Sequence, residues 1–327
     1  MTRLADVARA AGVSMSTASR ALSRPDLVAS DTRMRVLDAV QRLGFQVNPA
    51  ARALTSGKTG LLAMCVPTLS NPYFAPIIAG AQQTAEAADR HLTVVVTEGS
   101  ARREAEVLAR VSRQVDGFII VAPRGGDADL LEFGATTPAV IAERVVPGLA
   151  SVVIDTPAGL RDLMNVLKAD GHRRIAYLSG PAGSWMDALR CDALRDSLGD
   201  GGELSVIGPL PPTFRAGVEA VEEILERRAT AVVAYNSLLA VGAVYQLRNV
   251  GVRVPDDVSV ASADDLAALG LGAPEITTLH FDPAALGAAG VDMLVQLIDG
   301  REPEVPHVRI PAHLRVRSSE GWAAAEG

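Results

Sequence analysis

Apolar residues recur at helical spacing at Leu4, Val7, Ala8 and Ala11, stop at Gly12-Val13-Ser14, and resume from Met15 to Leu22. That rhythm predicts two short helices joined by a tight turn, with Ser14 capping the second helix and Val13, Ala18, Ala21 and Leu22 facing back to the first. A third helix is predicted to begin at Ser30 or Asp31, to bury a stripe of Val36, Leu37, Val40 and Leu43, and to close at Gly44.

From Leu61 onward the rhythm changes. Short apolar runs alternate with helical stretches, the mark of parallel sheets covered by helices. Strands are predicted at 61–66, 92–97, 117–121 and, after a short unit, 138–142, with helices at 73–89 and 102–113 between them. The pattern then repeats. A strand at 152–154 leads into a helix through Asp170, followed by strands at 175–178, 204–207, 231–234 and 258–261 and helices at 184–198, 214–228 and 238–250. The predicted fold class is α/β: a small all-α helix-turn-helix head, a hinge helix, and two doubly wound α/β lobes.

The hinge is the segment Phe45 to Thr59. Asn48 is suited to cap a helix, Pro49 to open it, and Ala50, Ala51, Arg52, Ala53 and Leu54 to continue it until Gly57. So short a helix is marginal alone in water, because nucleation is costly and few hydrogen bonds follow. It needs an external surface on which to form. The expected division is a head at 1–46, a hinge helix and linker at 47–60, and a body at 61–327.

Charge sharpens that division. The first 60 residues hold nine arginines and lysines against four aspartates, a balance of +5, while the rest holds 22 basic and 34 acidic side chains, a balance of −12. A cationic head on an anionic body points to nucleic acid bound at one end only. In a helix-turn-helix the second helix enters the major groove, where its first turn, here Met15 and Ser16, meets base edges. Arg20 is the residue best equipped to read sequence, since a guanidinium donates two parallel bonds to guanine. Ser14, Thr17 and Ser19 suit phosphate contacts, which position the head without specifying sequence. The bland alternative, three solvated helices of an interaction domain, leaves the charge division and the hinge unexplained.

The run Leu4-Ala-Asp-Val-Ala-Arg-Ala-Ala-Gly-Val-Ser14, then Ser16-Thr-Ala-Ser-Arg20-Ala-Leu, resembles the amino-terminal motif of the LacI/GalR family of transcriptional repressors. Asn48, Ala51, Arg52 and Leu54 match its hinge, although Val47 stands where the family often has proline. The resemblance implies that two hinge helices pair in the minor groove of a pseudo-palindromic operator, with Leu54 wedged into the central base step. Such wedging costs a few kcal/mol of unstacking, offset by added contacts. It also implies a homodimer, a double-stranded DNA partner, and a body with the type I periplasmic-binding-protein fold. Further landmarks are the segments at 171–181 and 247–260 and the ending at 301–317. The last ten residues hold no leucine heptads, which argues against a coiled-coil tetramer.

In open α/β sheets, ligands bind beyond the carboxyl ends of the strands. Asn71, Tyr73, Phe74, Glu143, Asn236 and Asp264 fall at such places. Arg190 lies on a helix, at the position of an arginine that commonly bonds the effector in the resembled family. Glu143, Asn236 and Asp264 also match pocket positions of that family, and Trp185 offers a stacking face. Carboxylates, an amide and a guanidinium around aromatic rings suit a sugar or sugar derivative, whose vicinal hydroxyls take paired bonds. On their own, Tyr73 and Phe74 read equally well as core, and Asp264 as a turn cap. Departures from the family pattern sit at Ser237, where an aspartate is usual, and at Ser262 and Ala263, where glycine and an aromatic are usual. They raise the alternative of a degenerate, ligand-independent pocket, and the missing aromatic at 263 speaks against a purine.

Catalysis finds no support. Ser56-Gly-Lys-Thr59 imitates the end of a phosphate-binding loop, but the required first glycine is Arg52. The five histidines lack metal-ligand spacing, and no cofactor or metal is expected. The two cysteines offer no disulfide framework, and no apolar run reaches membrane-spanning length. Without an apolar leader at Met1, the protein is expected in the cytoplasm. A cytoplasmic small-molecule binding protein is the alternative of a different class, and the basic head argues against it.

Overall fold

The structure, a computed structural model, describes residues 2–23, 27–45, 58–265 and 276–321. The predicted hinge helix, with Asn48, Ala51, Arg52 and Leu54, lies outside the described residues. Two compact units are present, Met1–Gly60 and Leu61–Gly327.

The head holds α1 (Leu4–Ala11), α2 (Met15–Ser23) and α3 (Ser30–Leu43). α1 ends at Gly12 with φ +67°, a left-handed turn natural to glycine. Ser14 caps α2 by accepting the Thr17 N–H at 3.1 Å. The core joins Val7, Ala8 and Ala11 to Ala18, Ala21, Val36 and Ala39, with Val13, Leu22 and Val40 packed around them. α3 starts where expected, but its expected apolar stripe needs correction. The helix begins at Ser30 itself, and Ala29 before it offers no side-chain cap. Leu37 and Leu43 are 41% and 38% exposed, while Ala39 is buried. Each residue turns a helix by about 100°, so the contact face that holds Val36, Ala39 and Val40 carries Leu37 away from the core.

The body comprises β1 (Leu61–Val66), α4 (Phe74–Ala87), β2 (His91–Val96), α5 (Ala101–Val111), β3 (Gly117–Val121), α6 (Asp127–Gly134), β4 (Ala139–Ala142) and β5 (Ala150–Asp155), then α7 (Thr156–Ala169), β6 (Arg174–Leu178), α8 (Trp185–Leu198), β7 (Glu203–Ile207), α9 (Phe214–Glu219) and α10 (Val221–Glu226). It ends with β8 (Ala231–Ala234), α11 (Ser237–Asn249), β9 (Ser259–Ser262), β10 (Thr277–His280), α12 (Pro283–Ile298), β11 (His307–Pro311) and β12 (His313–Arg315). Two six-stranded sheets result, in the orders β11-β5-β4-β3-β1-β2 and β12-β10-β9-β8-β6-β7. Every pairing is parallel except β10 with β12.

The chain crosses between the sheets after β5, after β10, and between β11 and β12 through the buried Ala312. Inner strands such as β3 and β8 are buried throughout, which is why they read as unbroken apolar runs. Some boundaries differ from expectation. The short unit expected before the strand at 138–142 contains α6, and the single helix predicted over 214–228 is two, divided at Ala220. His172 has a structural place: its Nε2 donates to the Gly321 carbonyl at 2.8 Å, tying the chain's end to the second sheet's layer. Burial pushes the Cys65 thiol up to about 12, so it behaves as a small core residue.

α4 and α12 cover the first sheet in direct backbone contact. A Cβ on Gly287 would lie 1.9 Å from the Ile77 carbonyl oxygen, and one on Gly80 would lie 2.1 Å from that of Ala284. Neither oxygen can swing aside as a flexible side chain would. Gly287→Ala should therefore lower the unfolding free energy by about 3 kcal/mol in urea titration, and an unchanged midpoint would refute this close packing.

Candidate functional site

The carboxyl ends of the strands of both sheets face one cleft of about 480 Å³ within the body. Asn71, Tyr73, Phe74, Glu143, Trp185, Arg190, Asn236 and Asp264 all line it. So do residues that sequence reasoning missed, chiefly Glu98, Arg124, Arg144, Tyr235 and the rigid run Pro209-Leu-Pro-Pro212. Arg124, Arg144 and Tyr235 follow β3, β4 and β8 directly or by a few residues, so the strand-end rule had the reach to find them.

Arg190 is fixed at two of its three nitrogens. Nε donates to Thr156 Oγ1 at 3.0 Å, and Nη1 to the Tyr235 carbonyl at 2.7 Å. Its Cζ stands 4.8 Å from the centre of the Tyr235 ring, a cation–π distance. The ring lies flush against the end of β6 because residue 180 is glycine; a Cβ there would come within 2.6 Å of it. Nη2 has no hydrogen-bond partner among the described residues.

Asp264 is held at one oxygen. Its Oδ1 accepts the Ser237 N–H and hydroxyl, each at 2.5 Å, and the Ser262 hydroxyl stands 3.2 Å away. Burial raises its pKa, and the Ser237 bonds and Arg190 act against that rise. The departures at 237 and 262 thus converge on one carboxylate and orient it, leaving Oδ2 without a hydrogen-bond partner among the described residues. Ala263 is fully buried in the core and is not among the residues lining the cleft, so the missing aromatic there removes nothing from its wall. The argument it supplied against a purine therefore falls.

The first sheet contributes strained backbone. Ala122 and Glu143, the residues directly after β3 and β4, have φ of +48° and +62°, and Glu98 after β2 has +57°. Each such conformation costs an L-residue roughly 1–2 kcal/mol, and strain of this kind clusters at functional sites. Burial lifts the Glu143 carboxyl to about 7, against the pull of Arg190. The Tyr73 phenol lies close enough to favour the carboxylate, yet short of hydrogen-bond geometry: Tyr73 Oη and Glu143 Oε1 both lack a partner among the described residues.

Other expected residues are less free. Asn71 Oδ1 accepts the Tyr73 N–H, and Asn236 caps α11 at Leu239 while donating to the Pro212 carbonyl at 3.3 Å. Phe74 is 7% exposed, belongs to the core, and reaches the cleft with an edge. Among the described residues no cluster of three or more His, Cys, Asp or Glu side chains is placed to hold a metal ion.

In the head, Ser14, Met15, Ser16 and Arg20 are exposed and Thr17 and Ser19 half-buried. The Ser14 hydroxyl is engaged in its cap, with Ser16 and Thr17 hydroxyls 2.9 and 2.8 Å away. Arg20 lies back along α2, its Nε donating to the Ser16 carbonyl at 3.3 Å. That exposed contact is weak enough for a base to displace.

Residues 3–48 match the model of bacterial regulatory proteins of the lacI family, and residues 164–320 that of a periplasmic binding protein-like domain. The HTH-type transcriptional regulator GalS of Salmonella typhimurium is 30% identical over 332 residues, covering 98% of this chain and 97% of GalS. The chain belongs to the LacI family. The HTH-type transcriptional repressor CytR of Escherichia coli K12 is 28% identical over 90% of this chain and 89% of its own. A crystal structure of the lac repressor dimer, bound to operator and the anti-inducer ONPF, matches with a TM-score of 0.84 at 25% identity, covering 97% of this chain and 98% of that one. A complex of the regulator CelR with cellobiose matches at 0.72 with 27% identity, covering 98% and 100%. The protein is thus a LacI-family DNA-binding transcriptional regulator and not an enzyme. Among the described residues no helix is long and apolar enough to cross a membrane.

The Glu143 carboxyl yields a pH prediction for this LacI-family cleft. Its folded pKa, about 7, lies above its ordinary value of 4.5, so the native state holds a proton that the unfolded state has lost. Stability therefore falls as pH rises between those values, by at most about 1.4 kcal/mol per unit, and levels off above. Glu143→Gln abolishes this dependence. Its thermal stability relative to wild type should grow from pH 5 to 7 and then stay constant; a difference independent of pH would show that the carboxyl is not held protonated.

Proposed function

We propose that this regulator binds a pseudo-palindromic operator as a homodimer, represses transcription there, and answers to a small polyhydroxylated effector in the interlobe cleft. One observation carries the effector reading. Seven buried side-chain polar atoms lack partners among the described residues, and four of them, on Tyr73, Arg124, Glu143 and Arg144, belong to residues lining this cleft. Leaving such an atom unpaired costs about 1–3 kcal/mol, and four of them at one cleft mark a site whose polar groups gain partners when a ligand draws them together. With Arg190 Nη2 and Asp264 Oδ2, the cleft offers donors and acceptors on both walls, and Trp185 and Tyr235 supply apolar faces for a ring. The Ser237 and Ser262 bonds to Asp264 support a working pocket over a degenerate one.

The same site reading assigns the hinge at 47–60 the coupling role. A helix too short to stand alone is ordered on DNA when two copies pair in the minor groove, and a change in lobe orientation alters the spacing of the copies. An effector shifts this equilibrium only by its difference in affinity for the two lobe arrangements. Ser16 and Arg20 would meet base edges, with Ser14, Thr17 and Ser19 nearer the phosphates. GalS and CytR, full-length relatives named as regulators, and the operator-bound lac repressor dimer support this reading.

Two experiments test it. Leu54→Ala should weaken operator binding by tenfold or more in fluorescence anisotropy, about 1.4 kcal/mol, with its thermal unfolding unchanged; undiminished affinity would remove the wedge. For the cleft, sugars and nucleosides are screened by thermal shift against wild type and Arg190→Ala. A compound that stabilises wild type alone supports the site, whereas equal stabilisation of both proteins places Arg190 outside it.

A further inference from the structure

The cleft has one end whose chemistry is more specific than that of a neutral sugar site. The loop Pro123–Gly125, after β3, is clamped from two sides. From below, Glu104, 2% exposed, accepts the Arg124 N–H at 3.0 Å and the Gly125 N–H at 2.9 Å. From beside it, Arg144, just past β4, donates through Nη1 to the carbonyls of Pro123 at 3.3 Å and Gly125 at 2.8 Å, and through Nη2 to Asp127 at 2.5 Å. The clamp fixes the backbone at Arg124 and the guanidinium of Arg144, and both arginines line the cleft.

Their charges are not equally matched. Arg144 is paired with Asp127. Arg124 has no carboxylate partner among the described residues; its guanidinium makes one hydrogen bond, from Nη1 to the Ala182 carbonyl of the opposite lobe at 3.4 Å. Glu104 lies beneath the backbone, with its two oxygens engaged by N–H groups. Glu98, the remaining acidic residue of the cleft besides Glu143 and Asp264, is exposed at the rim, where water screens it. The Nε atoms of Arg124 and Arg144 are both buried and both unpartnered. Among the described residues, the Arg124 charge at the cleft wall is the one left unmatched here, and it calls for an acceptor that carries negative charge.

We propose that the effector is a polyol bearing one anionic group, a carboxylate or phosphate, which docks at Arg124 and Arg144 while its hydroxyls meet Asp264 and Arg190. The inference rests on the reading of the cleft as the effector site and narrows it. Because Arg124 already reaches the other lobe, an anion held there bridges the two lobes at the cleft's mouth and favours their closed arrangement. The guanidinium fork suits both oxyanions, and the opposing carboxylate Asp264 sets the ligand's direction: its anionic end cannot face Asp264 without like-charge repulsion.

The test uses the full-length protein, titrated calorimetrically with D-gluconate, D-galacturonate, D-glucose 6-phosphate and D-galactose 1-phosphate, and with D-glucose and D-galactose as neutral parents. At least one acid or phosphate should bind about tenfold or more tightly than its parent, a difference of about 1.4 kcal/mol, and raised salt should shrink the gap. Arg124→Gln should weaken the acid or phosphate at least about tenfold more than its neutral parent, and Arg124→Lys should restore part of the difference. A gain confined to uronates and gluconate assigns a carboxylate; one confined to the phosphates assigns a phosphoryl group. Parents that bind as tightly as their anions, or an Arg124→Gln variant that weakens both alike, would overturn the inference while the cleft stands. If no compound of either class binds, the effector reading itself fails, and this inference with it.

Discussion

Taking a polar atom out of water without a hydrogen-bond partner costs a kcal/mol or more, and folded chains seldom tolerate it. In this protein the tolerance is concentrated where the strands of two parallel sheets end. Parallel strands send their next residues to the same edge, and three chain crossings bring two such edges face to face across one cleft. The body thereby gathers side chains from distant parts of the sequence at the cleft, some of them, such as Phe74, shared with the core. What remains unsatisfied there is bounded by what is satisfied: Arg190 and Asp264 are each held on one side by Thr156, Tyr235, Ser237 and Ser262 and left open on the other.

Backbone strain follows the same geography. Among the described residues, three of the five non-glycine residues with positive φ, Glu98, Ala122 and Glu143, line the cleft. Their conformations turn the chain sharply at the strand ends, so that Glu143 faces inward and the Arg124 loop sits on Glu104. Thr156, Tyr235, Ser237 and Ser262 hold Arg190 and Asp264 in place before a ligand arrives, which lowers the ordering cost of binding. In the proposed regulator, a modest difference in ligand affinity between two lobe arrangements would suffice to shift one toward the other.

Much of this was legible in the amino-acid sequence because it is periodic. The 3.6-residue rhythm of the head and the apolar runs of the inner strands located most elements to within a few residues, and the strand-end rule reached the cleft. What escaped has specific causes. The helix at Pro283–Ile298 is apolar around most of its circumference and so lacks an amphipathic stripe, although Asp282 caps it and Pro283 opens it. Leu37 was assigned to the core by hydropathy alone, when the small Ala39 lets α1 and α3 approach. Ser237 and Ser262 read as losses from a family pattern, because their shared bond partner Asp264 becomes visible only once β8 and β9 lie side by side. Arg124 and Arg144 stood within reach of the strand-end rule, but how they are held comes from Glu104 and Asp127, contributed by two different helices.

A crystal structure of the protein soaked with its tightest-binding compound tests the central claim most directly. The account predicts ligand hydrogen bonds of about 3.2 Å or less to Arg190 Nη2 and Asp264 Oδ2 and an anionic group on the Arg124 guanidinium, the groups that the fold leaves open to the cleft. A ligand bound elsewhere, or seated in the cleft with those atoms still unpaired, would contradict it.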